Sequence, residues 1–422
     1  MTTHGCENSA AWRRRARRVL PDGAQTAAKS PGQWPGGGSL PAFLRRASGG
    51  HVWDVDGNEW VDFPMALGPV LLGHADPAVA RAIAAQLRDG ISFTLMHPLE
   101  VEVAERIAAL CPGVQTVWFT KTGSEATAAA IRLARARTGR ERILSCGYHG
   151  WHDWYAAGLP QVLGVPGAAR PLVASFPFND LGVLERELSA GDVAAVIVEP
   201  TGAVLPEPGF LDGVVSLARR AGAVSVFDEM ISGFRIAAGG AREKYAVIPD
   251  LSCYGKALGN GMPIAAVAGR REMFRDFDRA YISGTYAGET LSLAAARVVL
   301  DTIASGEALA TIAAAGQRLQ ALLGDCVTRH QVSGKVSVGG EPARPVVRFG
   351  QDRLLAKSWA QQCLAEEGVL FNGVFNMCLR HTEEDIRLAV AGFDRACAGL
   401  ADGDDLAGRL RGPLVAAEFR PV

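Results

Sequence analysis

The chain has 422 residues, a formal net charge of −1 and a pI near 6.7. That length buries a large core and holds about two or three domain-sized units. The near-neutral balance supplies no basic field for nucleic acid, and no apolar run reaches the roughly 18 residues of a membrane span. Eight cysteines scattered without a CxxC pair point to reduced thiols and a cytoplasmic setting rather than disulfides or zinc.

The run RRRARR at 13–18 reads as the solvated face of a short N-terminal helix. Otherwise the first 50 residues are irregular, and SPGQWPGGGSLPAF (30–43) predicts a loop or arm. GHVWDVDGNEWVDF (50–63) alternates apolar and polar residues around the turn DGNE, a hairpin pattern. From about residue 76 helix and strand take turns. PAVARAIAAQL (77–87) and LEVEVAERIAAL (99–110) have helical periodicity, VQTVWFT (114–120) is strand-like, and SEATAAAIRLARART (124–138) is a strong helix. RILSC (142–146), VAAVIVEP (193–200), AVSVFDE (223–229) and IAAVAG (264–269) are apolar without alternation, as strands covered on both faces are. The expectation is therefore an α/β sandwich over 76–297, an N-terminal arm and part of a small domain over 1–75, and a small α+β domain over 298–422. The tail from 401 reads as peripheral.

Four stretches carry chemistry. Asp228 ends an apolar strand, at the edge where open α/β sheets place ligands, and a carboxylate there needs a positive partner. Lys256, one of only six lysines, sits in CYGKALGNGMP (253–263), where small neighbours clear space around its amine. An acid able to hold a protonated ring nitrogen, and a lysine in an uncrowded pocket, are the minimal equipment for pyridoxal phosphate (PLP); a buried ion pair reads equally well from these two residues alone. FTKTGSEAT (119–127) passes from a strand through small residues into a helix, so Thr122, Gly123 and Ser124 either bind an anion or, with Ser124 as the cap, simply start the helix. GYHGWHDW (147–154) offers Tyr148 for stacking; no metal is expected at His149, His152 and Asp153, because no third spaced cluster accompanies them. Glu199 is a further strand-end acid.

In order and spacing, TGSEATAAAIRLARARTGR, GYHG, VEP, FDEMISGFR, PDLSCYGKALGNGMP and GTYAGETLSLAAA resemble the class III PLP-dependent aminotransferases of fold type I, in the branch containing glutamate-1-semialdehyde aminomutase. The resemblance spans about residues 15–395. It implies a large domain with a mostly parallel seven-stranded sheet sandwiched by helices, and a smaller α+β domain drawn from both termini. It implies Lys256 as the Schiff-base lysine, Asp228 on the pyridine nitrogen, Tyr148 and Met230 on the two ring faces, and Gly123 and Ser124 on the phosphate. Thr285 would reach the phosphate of a partner subunit, which implies a homodimer with its active site at the interface.

The chain departs from that branch. Leu67 stands where aminomutases carry Trp, and Gly288-Glu289-Thr290 stands where relatives read Gly-Asn-Pro. Together with GYHGWHDW and AGET this is similar to a sub-branch acting on amino sugars, including aminotransferases of gentamicin-type aminoglycoside pathways. Such substrates are polycations, so Asp153 and Glu289 are the candidate substrate acids. The expected reaction is transfer of an amino group from glutamate or glutamine to an aldehyde or ketone of an amino sugar, at the 6′ carbon of an aminoglycoside. The alternative is a PLP-dependent aminomutase or epimerase.

Overall fold

The computed structural model describes residues 7–34, 40–160, 162–350, 352–402 and 405–417. Cys6 and the glycine run at 36–38 of the expected arm lie outside them. The chain divides into two compact units, Met1–Asp76 with Ala310–Val422, and Pro77–Leu309.

The first 50 residues are more regular than expected. Helix α1 (Glu7–Ala16) carries the first arginines of the basic run, with Arg15 lying 4.1 Å over the Trp12 ring. Strands β1 (Leu44–Ser48), β2 (His51–Asp54) and β3 (Glu59–Asp62) follow as an antiparallel meander. The DGNE hairpin closes on a buried Asp54: its carboxylate accepts from the backbone N–H groups of Asp56 and Asn58, both at 2.9 Å, and from the Trp60 indole N–H at 3.0 Å. Each lone pair taken up in this way offsets the cost of burying the charge.

The large unit opens with α2 (Pro77–Asp89) and α3 (Pro98–Leu110). It continues through β4 (Thr116–Thr120), α4 (Gly123–Thr138), β5 (Arg142–Cys146), α5 (Asp153–Ala156), β6 (Val173–Ser175), α6 (Leu181–Leu188), β7 (Val193–Val198) and α7 (Phe210–Arg220). It ends with β8 (Val224–Asp228), α8 (Ala241–Lys244), β9 (Leu251–Tyr254), β10 (Ala265–Gly269) and α9 (Thr290–Ile303). One seven-stranded sheet runs in the order β4-β10-β9-β8-β7-β5-β6. All its pairs are parallel except the two that β10 makes. Every residue of β7 and β8 is buried, and alternate side chains serve opposite cores. Ala195, Ile197 and Val226 pack with Ala126, Ala130 and Ala134 of α4, while Val196, Val198 and Phe227 pack with Leu184 of α6 and Val214 of α7.

The changeover expected near 297 falls after Leu309, because α9 packs against α2 and α3 and stays with the large unit. Helix α10 (Glu307–Arg329), the hairpin β11 (Val336–Glu341) and β12 (Arg344–Phe349), α11 (Arg353–Ala365), β13 (Val369–Leu370), α12 (Glu383–Asp402) and α13 (Leu406–Arg409) complete the chain. Strand β13 pairs in parallel with β3, Val369 opposite Val61, so the small unit's four-stranded sheet draws on both ends of the chain. The tail is not peripheral: Val415 is buried, its N–H donates to Ser358 Oγ at 2.9 Å, and the Arg411 N–H donates to Gln362 Oε1 at 2.8 Å. No single helix among the described residues is long and apolar enough to cross a membrane.

Candidate active site

Residues that could hold an anion start at the end of β4. Thr122, not Ser124, caps α4: its hydroxyl accepts from the Glu125 N–H at 3.3 Å, and Glu125 returns a carboxylate oxygen to the N–H groups of Thr122 (2.8 Å) and Lys121 (2.9 Å). This capping box leaves Gly123 and Ser124 as the first two helical residues. Their N–H groups have no intrahelical acceptor and lie at the positive end of a helix of 16 residues, the usual place for a phosphate.

Met230 ties that turn to the lysine segment. A Cβ on Gly123 would lie 2.7 Å from the Met230 sulfur, and so would a Cβ on Gly255. Both glycines are therefore imposed by one side chain filling the space between two backbones. On its other side the turn meets Gly150, where a Cβ would lie 2.9 Å from Ser124 Cβ. Thr127 Oγ1 donates to the His149 carbonyl at 2.8 Å and fixes that loop on the helix.

Asp228 is the last residue of β8, buried, and paired in register with Cys253 of β9. Strand β9 ends at Tyr254, an extended Gly255 follows, and Lys256 begins a short turn with φ 44°. Neighbouring parallel strands therefore deliver the carboxylate and the amine at the same sheet edge, three residues apart in register. A non-glycine residue in the left-handed region costs about 1–2 kcal/mol, and such residues gather where function demands them.

Sequence reasoning missed the role of His149, weighing it only as a metal ligand. Its Nδ1 lies 2.8 Å from Asp228 Oδ2, and both side chains are almost wholly buried. Asp228 Oδ1 accepts from the Met230 N–H at 3.1 Å. Facing a carboxylate, Nδ1 carries the proton, so the acid receives two hydrogen bonds that fix its orientation. The His149 ring runs nearly parallel to Trp154, with centroids 6.3 Å apart and planes at 19°. The signal available in the sequence was a histidine one position past Tyr148, in a strand-end loop of the same sheet.

Tyr148 is partly exposed and meets Tyr155 edge to face at 5.8 Å. Its N–H donates to Glu199 Oε2 at 2.9 Å, and a Cβ on Gly147 would lie 2.6 Å from the same oxygen. Glu199 thus secures the backbone under Tyr148.

The remaining candidates lie elsewhere in the large unit. Thr285 is exposed on the segment before α9 and lines a cavity of about 300 Å³ with Lys121, Glu125 and Arg132. Asp153 is exposed at the start of α5. Glu289 caps α9: it accepts from the Leu291 N–H (2.7 Å), the Ser292 hydroxyl (2.6 Å) and Lys121 Nζ (2.9 Å). Burial pushes its carboxyl up, but the hydrogen bonds from Ser292 and Lys121 outweigh that and hold it below the usual range. Glu289 is thus engaged as the cap of α9 and the ion-pair partner of Lys121.

The aminotransferase class-III family model matches residues 35–381. The glutamate-1-semialdehyde 2,1-aminomutase of Roseiflexus castenholzii is 40% identical over 308 residues, 68% of this chain and 70% of that protein. The enzyme of the same name from Myxococcus xanthus is 35% identical over 420 residues, 92% and 93% of the two chains. Among solved structures, the PLP internal aldimine form of the Sphingopyxis sp. MTA144 FumI protein has a TM-score of 0.85 at 30% identity, covering 93% of this chain and 96% of that one. A glutamate-1-semialdehyde aminomutase from Pseudomonas aeruginosa PAO1 in complex with PMP has a TM-score of 0.83 at 26% identity, covering 94% and 95%. The chain therefore belongs to the class III aminotransferases, of the fold type I PLP-dependent architecture, and its cofactor is pyridoxal 5′-phosphate. The residues present fit that group: helix-start N–H groups suit a phosphate, a buried hydrogen-bonded carboxylate suits a ring nitrogen, and Met230 closes the space between Gly123 and Gly255.

Proposed function

We propose that this class III enzyme is an intermolecular aminotransferase, taking an amino group from an amino acid such as glutamate or glutamine and delivering it to an aldehyde or ketone carbon of a second substrate. The observation that carries this reading is the shared sheet edge, where Asp228 and Lys256 emerge from registered strands beside the Met230-filled gap. PLP bound there supplies an electron sink that acidifies the proton on the amine-bearing carbon. Asp228, oriented by hydrogen bonds from His149 and the Met230 N–H, would hold a proton on the ring nitrogen. Lys256 Nζ takes the proton from the donor α-carbon and returns one to the acceptor carbon. The Gly123 and Ser124 N–H groups would bind the phosphate and Tyr148 and Met230 would hold the ring, with Glu199 keeping Tyr148 in place.

The acceptor we favour is an oxidised carbon of an amino sugar, with the 6′ position of an aminoglycoside as the specific candidate. Trp151, 74% exposed, and the exposed Asp153 support it: an aromatic face next to a carboxylate suits a cationic sugar. Leu67 in place of a tryptophan points the same way. The working unit in this reading is a homodimer in which Thr285 of one protomer serves the site of the other. Seven free, buried cysteines among the described residues suit a reducing, cytoplasmic setting.

A second reading rests on the relatives: several proteins named glutamate-1-semialdehyde 2,1-aminomutase are 38–40% identical. Holoenzyme incubated with glutamate or glutamine and a panel of oxidised amino sugars, followed by mass spectrometry, separates the two. An aminated sugar with an equivalent of keto acid supports transfer. Isomerised glutamate 1-semialdehyde formed without any second donor supports the aminomutase and overturns transfer to a sugar.

A further inference from the structure

The strands that end at Asp228 and before Lys256 begin at the opposite edge of the sheet, and that edge carries a groove of about 1130 Å³. Its walls come from the start of β4, from α7, from Val247 and Ile248 ahead of β9, and from residues 270–275 beyond β10. Because β10 runs antiparallel, its end (Gly269) pairs with Leu251 at the start of β9 and Thr116 at the start of β4, so all these stretches meet at one edge.

Four arginines line the groove, Arg219, Arg270, Arg271 and Arg275, against two carboxylates, Asp212 and Glu272. Arg270 is occupied by Asp250 at 3.4 Å and Glu272 at 3.9 Å. Arg219, Arg271 and Arg275 are exposed, and no carboxylate pairs with them among the described residues. Arg219 at the C-terminal end of α7 suits the helix dipole, but nothing local accounts for Arg271 and Arg275. The apolar surface of the groove comes from Ile248 and Phe274. Four guanidinium groups against two lining carboxylates leave the groove with an excess of positive charge, and a bound anion relieves the repulsion among them. The guanidinium fork matches phosphate oxygens better than an ammonium does.

We propose that this groove binds a small polyphosphate anion, held by Arg219, Arg271 and Arg275, with Ile248 and Phe274 as the surface for the apolar part of an organic phosphate. The site is distinct from the cofactor cradle, which lies at the other ends of the same strands. The test is calorimetric titration of PLP-saturated holoenzyme with sodium tripolyphosphate and, separately, with ATP, at low and high salt. Both should saturate, and added salt should weaken both. Arg219→Ala with Arg275→Ala should weaken binding by about tenfold per guanidinium removed, the scale of one hydrogen bond to a charged group. Arg271→Gln, a single change at an exposed side chain, should act in the same direction. ATP binding more tightly than tripolyphosphate identifies an organic phosphate using the apolar wall, while equal affinities identify the inorganic chain. Failure of tripolyphosphate to saturate the wild-type holoenzyme at millimolar concentration, or unchanged affinity in the folded double variant, overturns the assignment.

Discussion

Two regions of this chain set a histidine beside acids, and they have opposite characters. In the large unit His149 donates to Asp228 at the end of β8, and the same unit holds a helix whose first N–H groups have no intrahelical acceptor. In the small unit His381 stacks on Phe63 with ring centroids 4.4 Å apart, and its Nδ1 accepts the Cys378 N–H at 3.1 Å. A Cβ on Gly50 would lie 2.8 Å from the His381 ring, so only glycine fits against it. Burial pushes the His381 imidazole down to about 4, although Asp385 and Asp62 pull it up. A histidine among carboxylates is thus not in itself a sign of chemistry. What separates the two is the company the acid keeps: Asp228 ends its strand at the same sheet edge from which Lys256 emerges.

The sharpest way to break this comparison is to neutralise the large-unit acid. Asp228→Asn should keep the fold and slow turnover by about 10³-fold, the scale of losing one preorganised charge contact, read as kcat in steady-state assays. A rate within a few-fold of wild type would place the ring-nitrogen contact elsewhere. His149→Phe is expected to be milder, about tenfold to a hundredfold in kcat, as Asp228 loses one of its two hydrogen bonds. A rate within a few-fold of wild type would reduce His149 to packing.

In the small unit the expected effect is on stability alone. The folded His381 pKa lies below the unfolded one, so the unfolded chain binds a proton between pH 6.5 and about 4 that the folded chain refuses. Stability from this group is complete above pH 6.5, is lost as pH falls through that window, and changes no further below about 4. The melting temperature should therefore drop by several degrees from pH 7 to 4.5, with a shallower slope in His381→Gln. Equal slopes would assign the acid sensitivity to other groups.

Much of this arrangement was legible in the sequence for a local reason. Strands β7 and β8 lack alternation because both their faces are covered, and a charged residue closing such a run stands out, as Asp228 does. The α4 start was legible as a turn of small residues, but the capping residue was not. Thr122 and Ser124 are equally good caps by type, and only the position of Glu125 three residues past Thr122 decides between them. Glu289 looked like an acid at a mouth because its partners, Lys121 far back in the chain and the N–H groups of its own helix, have no signature at the residue itself. His149 and the docked tail at Val415 were hidden for the same reason: their partners, Asp228 and Ser358, are 79 and 57 residues away. Contacts that close such distances depend on the whole fold rather than on any local pattern.

The account rests on Lys256 as the residue that carries the cofactor, and the absorbance spectrum of purified Lys256→Ala tests it most directly. With PLP supplied, the wild-type protein should show a visible band that borohydride fixes covalently to residue 256, identifiable by peptide mass. The variant should show no band that borohydride can fix, and no turnover. A variant that retains the fixable band and its activity would contradict the account.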